Sequence, residues 1–262
     1  MKIKILVSVF IIVFLSSCSN DNNSTGNSGN YYPLTSGNYW NYDVTGQTSA
    51  RDSLYVGNDT LINSITYKKM KTQLLATGFF SNSLRNNGVK TNGELIELTG
   101  GLAFDLGLNL PINLNVSNFI ILKNNASANE QLTATSGTFT QNFNTFPLTF
   151  TYELKSVADG SLPTYTGLNG VVYNDIEKTK IILNLKITTT TTIPGTSFPV
   201  TLNLLDSQDV VTATQYYSKN IGMVYNKTEI SYQLNAQVAS LLQIPVSGNQ
   251  TQEEILDTYM AN

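Results

Sequence analysis

From Leu102 onward every second residue is apolar: Leu102, Phe104, Leu106, Leu108, Leu110, Ile112, Leu114 and Val116. Ala103, Asp105, Gly107, Asn109, Pro111, Asn113 and Asn115 fill the positions between them. Side chains on a strand alternate between its two faces, so this period of two predicts extended chain with one apolar face. Gly107 and Pro111 argue that it bends or runs along a sheet edge. Two readings follow. The run is two consecutive core strands, or its eight apolar residues form a stripe facing a lipid or other apolar ligand.

The same period recurs along the chain. Trp40, Tyr42 and Val44 share one face after a turn at Ser36-Gly37-Asn38. Asp52 to Val56, a turn at Gly57-Asn58-Asp59 and Thr60 to Ile62 read as a hairpin, and Ile65 to Leu75 as a further strand. Asn86-Asn87-Gly88 and Asn92-Gly93 carry hairpin-turn chemistry and precede a strand from Glu94 to Leu98. Strands are also expected at Pro147 to Leu154, at Ile181, Leu183, Leu185 and Ile187, and, after a Pro194-Gly195 turn, at Phe198 to Leu204. Val210 to Tyr217 and Met223 to Leu234 complete the series. Lys123 to Asn144 is polar and poorly periodic, and reads as a long loop with at most one short strand. Only the tail looks helical: Thr251 and Glu254 fit a capping box ahead of Ile255, Leu256 and Tyr259. The expected fold is therefore all-β, an antiparallel sheet curled as a sandwich, half-barrel or barrel, with one short C-terminal helix. Residues 31–262 form a single domain, and 123–145 is the candidate boundary between two halves.

The amino terminus follows another pattern. Lys2 and Lys4 precede an apolar run from Ile5 to Leu15, and Leu15-Ser16-Ser17-Cys18 matches a lipobox. The run is shorter than the roughly 20 residues of a spanning helix. Residues 1–17 are thus expected to be a lipoprotein signal peptide, and Cys18 to carry diacylglycerol and palmitate-type chains. Residues 18–30 are rich in Asn, Ser and Gly, which predicts a flexible tether reaching on the order of 20 Å. Ser19, rather than Asp, follows the cysteine, which favours the outer membrane, and Asp21 is weak support for the cell surface over the periplasmic face.

Composition narrows the chemistry. With 41% hydrophobic residues the chain can bury a core, while 13% charged is well below the usual quarter. Its 15 basic and 18 acidic residues are scattered, with no basic stripe for nucleic acid. Histidine is absent and Cys18 is the single cysteine, which excludes His-dependent triads, His-based zinc sites and disulfides. Carboxylates could still act alone. Glu94 with Glu97, Asp206 with Asp209 in an expected loop, and Glu253, Glu254 and Asp257 on the tail helix are better read as solvated surface. Asp206 and Asp209 lack the spaced Asp/Asn loop of a calcium site. No catalytic residue, metal ligand or cofactor is expected. Asp52-Ser53-Leu54 and Asp59-Thr60-Leu61 resemble a three-residue O-glycosylation motif, at Ser53 and Thr60.

Tyr32-Pro33-Leu34 with Gly37-Asn38-Tyr39-Trp40-Asn41-Tyr42 resembles the opening of a group of secreted and lipid-anchored Gram-negative proteins of unassigned function. Asp59-Thr60-Leu61-Ile62-Asn63 with Tyr67-Lys68 is similar to that group's hairpin. Tyr216-Tyr217-Ser218-Lys219-Asn220-Ile221-Gly222-Met223-Val224 is similar to its late phrase, with Asn220 where Gly is usual. The resemblance implies an all-β envelope lipoprotein and brings no catalytic residues. A looser likeness links the expected sheet to half-barrels that cup acyl chains, and fold analogy does not confer function. The sequence thus points to a non-enzymatic binding or scaffolding protein held to a membrane through Cys18, with an envelope protein, glycan or lipid partner. A lipid carrier is the alternative, and a carboxylate-only glycan hydrolase comes third.

Overall fold

A computed structural model describes residues 29–108, 111–192 and 198–262. The expected signal peptide, Cys18, nearly all of the expected tether, Leu110 and the expected Pro194-Gly195 turn lie outside the described residues.

The elements run β1 (Tyr39–Thr45), β2 (Ala50–Ile62), β3 (Ile65–Thr72), α1 (Phe79–Leu84), β4 (Gly88–Asn92), β5 (Leu95–Phe104) and β6 (Ile112–Lys123). They continue with β7 (Gln131–Phe143), β8 (Phe146–Thr166), β9 (Val172–Thr192), β10 (Pro199–Ser218), β11 (Gly222–Gln233), α2 (Ala236–Leu242) and β12 (Ser247–Met260). Every strand joins one antiparallel sheet in the order β6-β5-β4-β3-β2-β1-β12-β11-β10-β9-β8-β7. This is an up-and-down meander in which the first and last strands pair with each other, so the sheet curls into a nearly closed barrel. The free edges are β6 and β7. The lower part of β6 also packs against β8 and β9. There the Ser156 hydroxyl donates to the Ile120 carbonyl at 2.5 Å. The seam thus closes by overlap, which shields one edge from pairing with another chain.

Because the chain goes up and down, its connections segregate. At the upper end lie the β1–β2, β5–β6, β7–β8 and β9–β10 links and the α2 segment between β11 and β12. The lower end holds the β2–β3, β4–β5, β6–β7, β8–β9 and β10–β11 links, with the C-terminus. The amino-terminal segment also arrives below: the Gly29 carbonyl accepts from Asn124 Nδ2, and the Asn30 carbonyl from the Asn220 amide. From there Tyr32 enters the interior, stacking on Trp40 at 5.2 Å and meeting Phe80 and Tyr217 edge-on. Trp40 donates Nε1–H to the Ile221 carbonyl at 2.6 Å. Gly222 (φ +114°) faces that indole so closely that a Cβ there would sit 2.9 Å from Nε1.

The all-β expectation holds, and the Trp40, Tyr42, Val44 face points inward and is buried. The eight-residue stripe reads as core strands: Leu102 and Phe104 end β5, Ile112, Leu114 and Val116 open β6, Leu106 and Leu108 lie between, and all seven are buried.

Three expectations are corrected. Residues 251–259 form strand, within β12, not helix; its alternate residues Glu254 and Leu256 point into the barrel, and pairing with β1 and β11 outweighs a local capping pattern. The short helix near the C-terminus is α2, capped by Asn235, whose side chain accepts from the Gln237 and Val238 amides. The polar 123–144 stretch is mostly strand β7, paired with β8 along its whole length. None of its residues is fully buried, so it needs little apolar periodicity to hold its place. Finally, β2 runs straight through Gly57-Asn58-Asp59, with a register irregularity between Val56 and Asp59. The hairpin turn is Asn63-Ser64, both at positive φ, as a tight two-residue turn demands.

Candidate functional site

Helix α1 fills the barrel, with Phe80 and Leu84 almost fully buried. It is only six residues long and begins at Gly78, which offers no side chain to cap it. Its amides are instead taken up by neighbouring strands. Asp52 on β2 accepts from Thr77 N (3.0 and 3.1 Å) and Gly78 N (2.7 Å). Gln252 on β12 accepts from Phe79 N at 2.8 Å and donates to the Thr77 carbonyl at 3.1 Å. Glu254, two positions on and so on the same face, accepts from Phe80 N at 2.7 Å and Ser81 N at 3.0 Å. Asn226 on β11 adds a third donor to Glu254, at 2.9 Å. Five consecutive amides are thus satisfied by three inward side chains, as buried backbone requires. Glu254 is wholly buried, and that burial, with the nearby Asp52 charge, pushes its carboxyl up to about 7 against the pull of the amides. A Cβ on Gly78 would fall 2.2 Å from the Glu254 carboxylate, so the close approach requires glycine.

Above this clamp lies an open groove of about 650 Å³ at the upper rim. The β1–β2 loop (Gln47, Thr48) and the β5–β6 connection form its lips, β11 and β12 one wall, and the start of α1 its floor. Its lining is divided between amide and hydroxyl side chains, including Asn82, Thr228 and Gln250, and apolar ones, with the rings of Phe79 and Phe104 packed 5.8 Å apart. The carboxylate among the lining residues is Asp105, which accepts from Gly107 N at 2.8 Å. A second recess, about 640 Å³, lies on the outer wall between Tyr39, Arg51, Tyr55 and the exposed Leu74 and Leu75.

The residues singled out by sequence fare unevenly. Cys18 lies outside the described residues. The seven described residues of the stripe are buried, with Leu102 and Phe104 beside α1; the cavity beside Leu102, Phe104, Phe119 and Ile121 is about 20 Å³, room for about one water and far too small for an acyl chain. Glu94 is exposed, as expected, but Glu97 is buried beside Lys90 (3.0 Å) and Asn92 (2.8 Å). Asp206 and Asp209 are exposed, though in β10 rather than a loop, and pair with Asn203 and Asn184. Glu253 accepts from the Tyr225 hydroxyl and Asp257 pairs with Arg51. Glu254 reverses the solvated reading altogether. Ser53 and Thr60 are half-buried, and Asp52, ahead of Ser53, is engaged with α1. Among the described residues no three or more His, Cys, Asp or Glu side chains gather as a metal site would require.

Sequence reasoning missed the Asp52–Gln252–Glu254 clamp and the groove above it. The available signal was the period of two in Gln252, Glu254 and Leu256, obscured by Ile255 beside Leu256, which mimics a helical face.

No protein-family model and no curated protein sequence matches the chain. One solved structure, described as "a putative lipoprotein from Parabacteroides distasonis ATCC 8503", superposes over 88% of this chain and 99% of its own at 11% identity, with a TM-score of 0.43. A likeness that loose carries no argument.

Proposed function

We propose that this chain is an outer-membrane lipoprotein, anchored through Cys18, which binds a neutral glycan in the groove at the far end of the barrel and catalyses nothing. The observation that carries this is polarity in the architectural sense. Residues 29 and 30 meet the lower end, while a recess of about 650 Å³ opens at the upper end. An anchored binder needs that arrangement to face its ligand away from the membrane. Amides and hydroxyls beside aromatic rings suit sugar hydroxyls and C–H faces, and the lining has no basic residue for an anion.

Two further features favour binding over turnover. Glycosidic hydrolysis by carboxylates needs a facing pair with room for substrate between them. Here the buried carboxylates Asp52 and Glu254 are engaged by backbone amides, leaving Asp105 in the groove. The lipid-carrier alternative would require α1 to leave the interior, since the stripe is already covered by protein. The resemblance of the Tyr32–Tyr42 and Tyr216–Val224 phrases to envelope lipoproteins supports the same assignment.

Intact mass of the protein from membranes is expected to show loss of residues 1–17 and a diacylglycerol plus acyl chain on Cys18; an unmodified thiol would defeat the anchor. For the groove, titration of the protein with neutral oligosaccharides, followed by amide NMR, is expected to shift resonances of residues 47–48, 79–82 and 103–107. Gln250→Ala with Asn82→Ala should weaken that binding by about tenfold, the equivalent of one or two lost hydrogen bonds. Shifts elsewhere, or none with any sugar, would refute the site.

A further inference from the structure

Of the ten large apolar side chains that are exposed among the described residues, six lie at the lower end of the barrel. Leu61 (73% exposed) and Ile65 flank the β2–β3 turn, Val171 and Val172 (53%) lead from the β8–β9 turn, and Tyr259 and Met260 end β12. These are three separate tips around the mouth where residues 29–30 arrive. On the upper rim, Phe198 and Leu241 are the comparable exposed pair.

The tips are held in place. Tyr165 and Tyr173 stack beside the β8–β9 turn, and Tyr165 lies 5.3 Å from Tyr216 and 5.4 Å from Tyr225, fastening that turn to the wall formed by β10 and β11. Beside the β2–β3 tip, the buried Tyr67 donates its hydroxyl to Asn118 at 2.6 Å and accepts from Thr99 at 3.2 Å. Beside the β2–β3 tip Lys68 pairs with Asp59, and Asp257, three residues before Met260, is taken up by Arg51 from higher on the wall. These tips therefore hold apolar side chains outward, where a membrane interface could receive them. Such exposure, gathered at one end, marks an interaction site rather than ordinary scatter.

We propose that this rim is a bilayer seat: Leu61, Ile65, Val171, Val172, Tyr259 and Met260 dip into the headgroup region of the membrane that holds the anchor, setting the barrel upright with its groove outward. The inference rests on the lipid anchor at Cys18. Ten residues separate Cys18 from Gly29, a span of at most about 40 Å, so the lower end is confined near that surface and even weak apolar contacts form there. Tyrosine at the rim fits the preference of such rings for the interface.

The test uses the full lipidated chain in vesicles of phosphatidylethanolamine and phosphatidylglycerol. Single cysteines in place of Leu61, Val172 or, as an upper-end control, Thr48 are labelled with an environment-sensitive fluorophore. The expected result is blue-shifted emission at positions 61 and 172, quenched by quenchers placed on lipid headgroups or upper acyl carbons, with position 48 unchanged. A protein that floats with vesicles while its rim labels stay as solvated as position 48 would overturn the seat and leave the anchor standing. Blue-shifted rim labels that lipid quenchers do not reach would mean that a second copy covers the rim, and would equally overturn it. Failure to float at all, with Cys18 found unmodified, would remove the anchor and the seat with it.

Discussion

Glu254→Ala is expected to destabilise the protein by about 3–5 kcal/mol, measured by urea unfolding at constant pH. The side chain accepts three hydrogen bonds in a site without solvent, two from the first turn of α1 and one from Asn226. Truncation leaves those donors buried and unpaired, each costing about 1–3 kcal/mol. It also loosens the helix that packs beside Leu102 and Phe104. A pH dependence accompanies the effect. With its folded pKa raised to about 7 from an ordinary 4.5, Glu254 binds its proton more tightly in the native state than in the unfolded chain. Its contribution is then full below pH 4.5 and is lost as pH rises through 7, a total of about 3 kcal/mol. Wild-type stability should fall across that window, and Glu254→Gln, which cannot ionise, should flatten the fall. Because both carboxylate oxygens accept from α1 amides, the Gln variant leaves one amide unpaired and is less stable at every pH, so the comparison rests on the slope of the profile. A pH profile unchanged by Glu254→Gln would show that this carboxyl does not titrate in the window.

Trp40→Ala is expected to cost about 3–5 kcal/mol, the range for emptying a large aromatic from a packed core. Trp40 is fully buried, stacks on Tyr32, and bonds the carbonyl of Ile221 in the β10–β11 turn. It thus joins β1, the amino-terminal segment and the far side of the sheet at one point. Its removal leaves a buried carbonyl unpaired as well as a cavity. Because Trp40 is the only tryptophan, unfolding of the variant must be followed by circular dichroism. Trp40→Phe keeps most of the volume and loses the hydrogen bond, so it should fall between the two. A loss below about 1 kcal/mol for Trp40→Ala would show that the packing of Trp40 on Tyr32 and its bond to Ile221 contribute little to the barrel.

Much of the fold was legible wherever one face of a strand is buried and the other is not. The Trp40, Tyr42, Val44 face, the strand alternation of the stripe's seven described residues and the alternation around Leu183 and Leu185 are all legible for that reason. Reading failed where burial is incomplete or contested. Strand β7 has no fully buried residue, so its Thr and Ser positions resembled loop. Helix α1 is too short to show a period, and its caps come from residues more than twenty positions away in one direction and more than 170 in the other. The groove draws its lining from five stretches of chain and has no local pattern at all.

What the sequence determined by itself was local: the period-two side-chain alternation that commits the chain to β structure, the lipobox spacing around Cys18, and the absence of histidine, which removes whole classes of chemistry. The tertiary structure alone decided which carboxylates are solvated and which are interior, where a polar groove opens, and which apolar residues remain outside. The reason is that burial belongs to pairs of distant segments. Closing the meander through the β1–β12 pairing carries Glu254 onto the face opposite α1, and no property of the neighbours of Glu254 in the chain encodes that meeting.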